Sequence, residues 1–507
     1  MRLKTLSFLR GGLLPILFLL VALPTCLVFV HQVPPGQVAD EPAHIVRADS
    51  LLKGEWVGHS GPQPQPDGAI ATVAGVDADT SYLWVTSLAP PHTQPVDPVR
   101  LARARTMDWT GVQDFVGVNT IATYMPIFYA PSALGLAVAR QGGEGPFQAI
   151  LVGRMANTLA YLALATAALA LARRGRGLLF CMLAVPMALS LAASFNQDCL
   201  IIAASALAAA LITRCDDGRR SPAYWAAAVL LALVIMVKPP YLPLAALLLL
   251  PLPAAWADVL RAGPARARLL GRVAVMVVVA LPALAWTVFI QRGVALPVPR
   301  LAYEAGILWP GPRPAVFHGT DTAAQLHVLL AAPWRMLTLV WHTLRVPGHF
   351  RGLFLESIGV LGWLDLRLPK AVYGAWTLAL LAAAWADIRL RAGAGARRVA
   401  CAAWARVRWT EVALMVFAAW AAVEGIFLSQ YLTWTSVGMP AVDGPQGRYF
   451  LPLFPLFILA LPRPAQAGPG EGVVQPPHPL AWLAPALAAT VTLALLPGAL
   501  TGAYYSG

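Results

Sequence analysis

"YMPIFYAPSALGLAVA", residues 124–139, decides how the rest of the chain is threaded. The stretch is apolar, but it is short and carries Pro126 and Pro131. A helix rises 1.5 Å per residue, so about 20 apolar residues are needed to cross a hydrocarbon core roughly 30 Å thick. If 124–139 crosses, the apolar run 151–172 returns outward and leaves Arg173, Arg174 and Arg176 outside. If it lies along the outer interface, 151–172 runs inward and those arginines are cytoplasmic. The second reading satisfies the bias of Lys and Arg toward cytoplasmic loops. It also suits a short segment that bears aromatics. We adopt it.

The surrounding composition makes lipid the natural solvent. The chain has 507 residues, of which 58% are hydrophobic and 12% charged, and its mean hydropathy is +0.65. That excludes an ordinary soluble globular protein. The apolar runs are continuous and rich in Leu, Ala and Val, unlike the alternation of a membrane barrel. The net charge of +13 sits in short loops between apolar runs, so it reports orientation and not a nucleic-acid partner. The five cysteines are scattered with no CxxC pair, so neither a disulfide framework nor a zinc site is indicated.

From the interfacial placement of 124–139 the trace follows. Arg2, Lys4 and Arg10 place the N-terminus in the cytoplasm, and 11–31 is a retained signal anchor. A polar first outer loop, about residues 32–150, contains "GPQPQPDG" and "VDADTSYLW", which read as loop. Spans then alternate over 151–172, 177–194, 197–213, 222–237, 240–257 and 271–290. Residues 291–370 stay outside, with "PWRMLTLVWHTL" and "LFLESIGVLGWLDL" as interfacial or re-entrant pieces. Spans 371–389, 409–429, 447–462 and 480–501 complete the chain. The expectation is an all-α polytopic membrane protein with about eleven transmembrane helices. Its main unit is 1–462, followed by a cytoplasmic linker and last helix over 463–507.

The trace gathers distant polar residues near one boundary. "VADEPAHIVRADS" (38–50) leaves the first span carrying Asp40, Glu41, His44 and Arg47. Asp or Glu before Pro42 is also a good helix start, so capping accounts for the acids unless other groups converge on them. A carboxylate there suits a general base or one ligand of a divalent cation. His44 and Arg47 share a helix face, and the guanidinium suits a phosphate. Asn196 and Asp198 in "SFNQD" begin an inward span, where an acid also suits the helix dipole. Lys238 in "MVKPPYLPL" either snorkels or meets a lipid phosphate. Arg448 and Tyr449 in "GPQGRYFLPLFP", Arg154 in "LVGRMAN" and Tyr124 lie at the same level. Glu424 sits inside the 409–429 span, where an ionisable group needs a partner or water. "DAD" (Asp77, Asp79) resembles the metal-holding pair of nucleotide-sugar enzymes, but the loop is too short for the nucleotide-binding domain that pair requires. No residue set is read as a metal site. There is no P-loop, GxSxG, HExxH or Rossmann glycine pattern.

The fragments "DEPAH", "YMPIFYAPSALG", "VGRMAN", "SFNQD", "KPPYLPL", "GVLGWLD" and "GPQGRYFLPLFP" occur in this order. Over about residues 30–460 they resemble the bacterial membrane family called domain-of-unknown-function family 2142, which is grouped with the GT-C glycosyltransferases. The resemblance implies a GT-C-like fold in the cytoplasmic membrane, with the active site on the outer side. It implies a polyprenyl-phosphate-linked sugar as donor, and a glycan, lipid or protein acceptor in the cell envelope. On it, Asp40 or Glu41 maps to the acid of the first outer loop that serves as base or metal-site member. Asp198 maps to the acid beginning a later inward span, and "YMPIFYAPSALG" to the juxtamembrane helices. His44, Arg47, Tyr124, Arg154, Asn196, Lys238, Glu424, Arg448 and Tyr449 are the expected substrate-binding set. The residues leave room for a divalent cation and do not require one. A transporter or flippase of lipid-linked saccharides would place charges at the bilayer midplane in repeated halves. A polymerase joining preassembled glycans would share the outer site.

Overall fold

The computed structural model describes residues 2–64, 70–89, 92–215, 221–252, 263–294, 296, 321–389, 408–461 and 479–506, with side chains from residue 13 onward. Basic groups expected at Arg219, Arg220 and Arg261, most of the Arg-rich loop between Arg389 and Arg408, the end of the 240–257 stretch and the 463–478 linker lie outside the described residues.

The described chain is mostly helical. Among the described residues, six helices are long and apolar enough to cross a membrane: α1 (Arg2–Gln32), α7 (Pro146–Leu171), α12 (Pro264–Gly293), α16 (Lys370–Arg389), α17 (Trp409–Thr433) and α19 (Leu480–Tyr504). A seventh is counted if α13 (Thr322–Ala331) and α14 (Arg335–Leu344), bent at 105°, form one span. The other apolar stretches are shorter, for reasons written in the sequence. Pro186 splits the 177–194 run into α8 (Arg176–Ala184) and α9 (Pro186–Ala192). Pro239, Pro240 and Pro243 turn the stretch after α11 (Pro222–Val237) into a 3-10 helix, Pro239–Leu249, because proline removes the donor an α-helix needs. Pro452 and Pro455 do the same to Gly447–Leu456, which continues into α18 (Phe457–Ala460). At 2.0 Å per residue, an 11-residue 3-10 helix still reaches about 22 Å. Helix α10 (Asp198–Ile212) is similar, at about 22 Å for 15 residues.

Contacts at the helix ends fix the direction of each piece. Arg154, near the start of α7, donates to the carbonyls of Val30, Val33 and Pro34 at the end of α1. So α7 begins at the end of the bundle where α1 stops, and the intervening 124–139 stretch does not carry the chain to the other end. Its helical part, α6 (Ala130–Gln141), folds back along α7. At the opposite end, Arg174 donates to the Ile458 carbonyl, Arg214 to Leu171, Arg272 to Leu249 and Arg408 to Leu252. The described arginines of the short basic loops therefore gather at one end of the bundle. The acids of the first loop gather at the other, hereafter the loop end.

The first loop is more ordered than its sequence suggests. The helix start expected at Pro42 is present as α2 (Glu41–Leu52), but residues read as plain loop form a three-stranded antiparallel sheet, β1 (His59–Pro64), β2 (Ile70–Asp79) and β3 (Gln113–Gly117). Short helices α3 (Ser81–Thr86), α4 (Pro98–Arg105) and α5 (Asn119–Ala122) complete this part. The prolines and glycines of "HSGPQPQPDG" suggest turns, but they flank "IATVAGVDAD", whose Ala74, Val76 and Ala78 alternate at the period of a strand. Those residues pack with Ile45, Val46, Leu136 and Phe147 into a second core beside the main helical one. "ESIGVLGWLDL" likewise resolves into the end of α15 (His349–Gly359) and a hairpin, β4 (Val360–Leu361) with β5 (Leu366–Arg367). The Gly362 carbonyl accepts from the Ala39 amide at 3.0 Å, and Trp363 Nε1 donates to the Gly36 carbonyl. This hairpin braces the turn that carries Asp40. From the other side, Tyr504 of α19 donates to the Gln37 carbonyl.

Candidate functional site

The turn "QVADEP" sets the site. Asp40 stands before α2 with φ 64° and ψ 2°, the left-handed region, where Asp and Asn are tolerated better than most residues and still at a cost of about 1–3 kcal/mol. Its side chain makes no capping hydrogen bond. It faces Arg448, with which it forms a hydrogen-bonded ion pair. The same guanidinium reaches the Ala39 carbonyl at 3.4 Å and lies 3.8 Å, through Nε, from Asp198. Asp198 in turn pairs with Lys238. Two acids and two bases from four separate segments thus form one alternating chain. These are the turn after α1, the start of α10, the end of α11 and the start of the Gly447–Leu456 helix.

Aromatic rings close the cluster. The Lys238 ammonium lies 4.8 Å from the Tyr449 ring centre and 5.7 Å from that of Tyr124. The Arg448 guanidinium lies 5.5 Å from the Tyr449 ring centre. Such faces attract cations electrostatically. Beside them His44 Nδ1 is 2.6 Å from the Tyr129 hydroxyl.

Exposure separates the members. Arg448 is 3% exposed and the Asp198 side chain 6%, whereas the Asp40 side chain is 42% exposed. Asp40 is therefore the carboxylate that a molecule arriving at the loop end can touch. Burial pushes its carboxyl upward, but Arg448 and, less directly, His44 pull harder and hold it below the usual carboxylate range. Burial drives His44 the other way, down to about 4 against the pull of Asp40 and Asp198, so its imidazole is neutral at pH 7.

Residues that no sequence signal singled out hold Arg448 in place. Glu356 of α15 accepts from the Gly447 amide at 2.7 Å, and Ser357 donates to the Gly447 carbonyl at 3.0 Å. Tyr241 donates to the Tyr449 carbonyl at 2.8 Å. Gly447 is required there, because a Cβ would run into the Leu353 carbonyl and the α15 backbone. Burial pushes the Glu356 carboxyl upward, opposed by the Gly447 amide and Arg448. An acid inside the apolar run "LFLESIG" was the available clue.

The remaining expected residues divide. Asn196 accepts from the Asp198 amide at 2.9 Å and shapes the first turn of α10. Its Nδ2, and both polar atoms of Gln197, are buried with no hydrogen-bond partner among the described residues. Glu41 turns away from its neighbour. Both of its oxygens meet Arg154, at 2.8 and 2.5 Å, and one also accepts from the Gly36 amide at 3.0 Å. Neither side chain of that pair is exposed. Of the two acids left open as alternatives, Asp40 faces the cluster and Glu41 faces Arg154, because adjacent residues at a helix start point in different directions. Arg154, expected to meet a substrate, has its donors filled by Glu41 and three carbonyls. Arg47 is also turned inward, donating to Ser50 and to the carbonyls of Glu55, Trp56 and Tyr124. Glu424 is half-buried in α17 and makes no hydrogen bond or ion pair among the described residues.

Such a site can hold an anion on Arg448 and Lys238 while presenting Asp40 to a neutral hydroxyl. A family model described as predicted membrane protein (DUF2142) matches residues 23–457, and the chain belongs to that family. The match spans every charged member of the cluster. No curated protein and no solved structure matches the chain.

Proposed function

We propose, taking membership of this membrane-protein family as the premise, that the protein is a GT-C-type glycosyltransferase of the cytoplasmic membrane. It moves a sugar from a polyprenyl-phosphate donor to a glycan, lipid or protein acceptor on the outer face. The loop end is the outer face in this reading, and the short proline-broken helices complete about eleven crossings, with the basic end cytoplasmic.

The observation that carries the reading is the half-exposed Asp40 carboxylate, held on a strained turn by Arg448 and backed by the buried Asp198–Lys238 pair. A donor phosphate competes with Asp40 for Arg448. As Arg448 turns to the phosphate, Asp40 loses its main counter-charge and becomes a better base. It then takes the proton from the acceptor hydroxyl while that oxygen bonds the anomeric carbon. The bond from the anomeric carbon to the phosphate oxygen breaks, and its electron pair leaves on the phosphate. Arg448 and Lys238, themselves mostly withdrawn from solvent, stabilise that developing charge. Attack opposite the leaving group inverts the anomeric centre. Asp198, between Lys238 and Arg448, offsets their mutual repulsion and holds both cations at the site.

The test replaces Asp40 by Asn, Asp198 by Asn and Arg448 by Ala in the producing cell, with membrane levels measured alongside. All three are expected to lose the same surface glycan. Unchanged surface glycans in all three at normal protein levels would overturn the assignment.

A further inference from the structure

A second cluster lies in the first loop, apart from the site described. Glu55 follows α2, His59 opens β1 and Asp77 lies on β2. His59 Nδ1 is 2.8 Å from Glu55 Oε1, and His59 Nε2 is 3.6 Å from Asp77 Oδ1. One ligand atom from each of the three lies within 4.8 Å of the others. The strand register explains the meeting. His59 pairs with Gly75, which has no side chain, so the imidazole leans along β2 toward Asp77 and rests 5.2 Å from the Phe115 ring.

The charge balance points to a cation. Nearby Asp49 and Asp79 are neutralised by Lys53 and Arg140. Among the described residues, Glu55 and Asp77 pair with no Lys or Arg, only with His59. Lys53 is committed to Asp49 and to the Asp77 main-chain carbonyl, and Arg47, whose charge reaches Glu55, spends its donors on Ser50 and on main-chain carbonyls. Glu55 Oε2 is fixed by the Asp77 amide at 3.0 Å, which leaves Oε1 facing the imidazole. About half of the Asp77 and His59 side chains is open to solvent.

We propose that Glu55, His59 and Asp77 bind a zinc ion. One imidazole nitrogen and two carboxylate oxygens form a donor set that zinc accepts, with a water in the fourth position. Ligand atoms around a tetrahedral zinc stand about 3.4 Å apart, as follows from metal–ligand bonds of about 2.1 Å. With a single imidazole nitrogen and one oxygen from each acid the separations run up to 4.8 Å, and rotation of the exposed Asp77 and His59 side chains closes them onto one ion. The ion replaces the His59–Glu55 hydrogen bond and clips the segment after α2 to the β1–β2 pair. It thereby stiffens the small sheet domain on which α2, and with it the Asp40 turn, is mounted.

The test uses the tag-free full-length chain in detergent, stripped with chelator and titrated with zinc alone. Bound metal is measured after gel filtration, and unfolding temperature is measured with zinc and with chelator. One zinc per chain is expected at micromolar concentration, with a raised unfolding temperature. His59→Ala, and separately the near-isosteric Asp77→Asn, are each expected to weaken binding at least tenfold and to abolish the thermal shift. No stoichiometric zinc, or stoichiometric zinc that neither variant weakens, overturns the proposal.

Discussion

Exchanging Glu41 for Gln, beside Asp40 for Asn, separates two adjacent acids by their effects. Glu41 and Arg154 are both fully buried and joined through two hydrogen bonds. Glu41→Gln keeps the shape but leaves the Arg154 charge without a counter-charge. Removing one partner of a buried pair costs about 3–5 kcal/mol, or about 10²- to 10⁴-fold in the folding equilibrium. That is a large share of a typical stability of about 5–15 kcal/mol. Asp40→Asn should cost about 1 kcal/mol or less, because the Asp40 side chain is 42% exposed and solvent screens the pair. Arg448 also keeps Asp198 at 3.8 Å and the Ala39 carbonyl. Cys26, Cys181, Cys199 and Cys215 are buried, so a thiol-reactive dye reports unfolding in a Cys401→Ser background. Heating in mild detergent should expose the thiols of Glu41→Gln far below the wild-type temperature and those of Asp40→Asn close to it. The activity readout should fail in Asp40→Asn even where the protein is folded. A Glu41→Gln protein as stable as wild type, or an Asp40→Asn protein less stable than Glu41→Gln, would refute the division of roles.

Two further outcomes are expected. Glu356→Ala should lower surface glycan formation by removing the acceptor of the Gly447 amide, whereas Glu356→Gln, which still accepts, should restore it at equal membrane level. A general structural role for Glu356 would make both variants fail together. His44 has a folded pKa near 4, below its ordinary 6.5, so the unfolded chain binds more protons between those values. Its contribution therefore erodes stability as pH falls from about 6.5 to about 4. Unfolding temperature followed across that window should fall less steeply in His44→Gln; an unchanged slope would show that another group governs it.

Much of the threading was legible because lipid imposes simple rules. The length of 124–139, its prolines and the arginines after 172 were enough to predict that α7 starts at the end where α1 stops. The Arg154 contacts with the end of α1 agree. The convergence of Asp40, Asp198, Lys238 and Arg448 followed from alternating spans. What sequence could not give was side-chain direction. Asp40 and Glu41 are neighbours, yet a single left-handed residue sends one to Arg448 and the other into the α1–α7 contact. Arg47 looked like a phosphate ligand because its backbone acceptors, at Trp56 and Tyr124, depend on a loop path that no local pattern encodes. The sheet was missed for a related reason, since turn residues at its edges outweighed a short alternating run. The small roles of Glu356 and Tyr241 depend on tertiary contacts across about 90 and 210 residues of sequence.

The most direct measurement is photolabelling of the purified chain with a polyprenyl phosphate that carries a light-activated group. Wild type should be labelled, with free polyprenyl phosphate competing and the corresponding alcohol not. Labelling should be lost when Arg448 and Lys238 are both replaced by Ala. Equal labelling of that variant, or equal competition by the alcohol, would contradict a phosphate site built from these two cations.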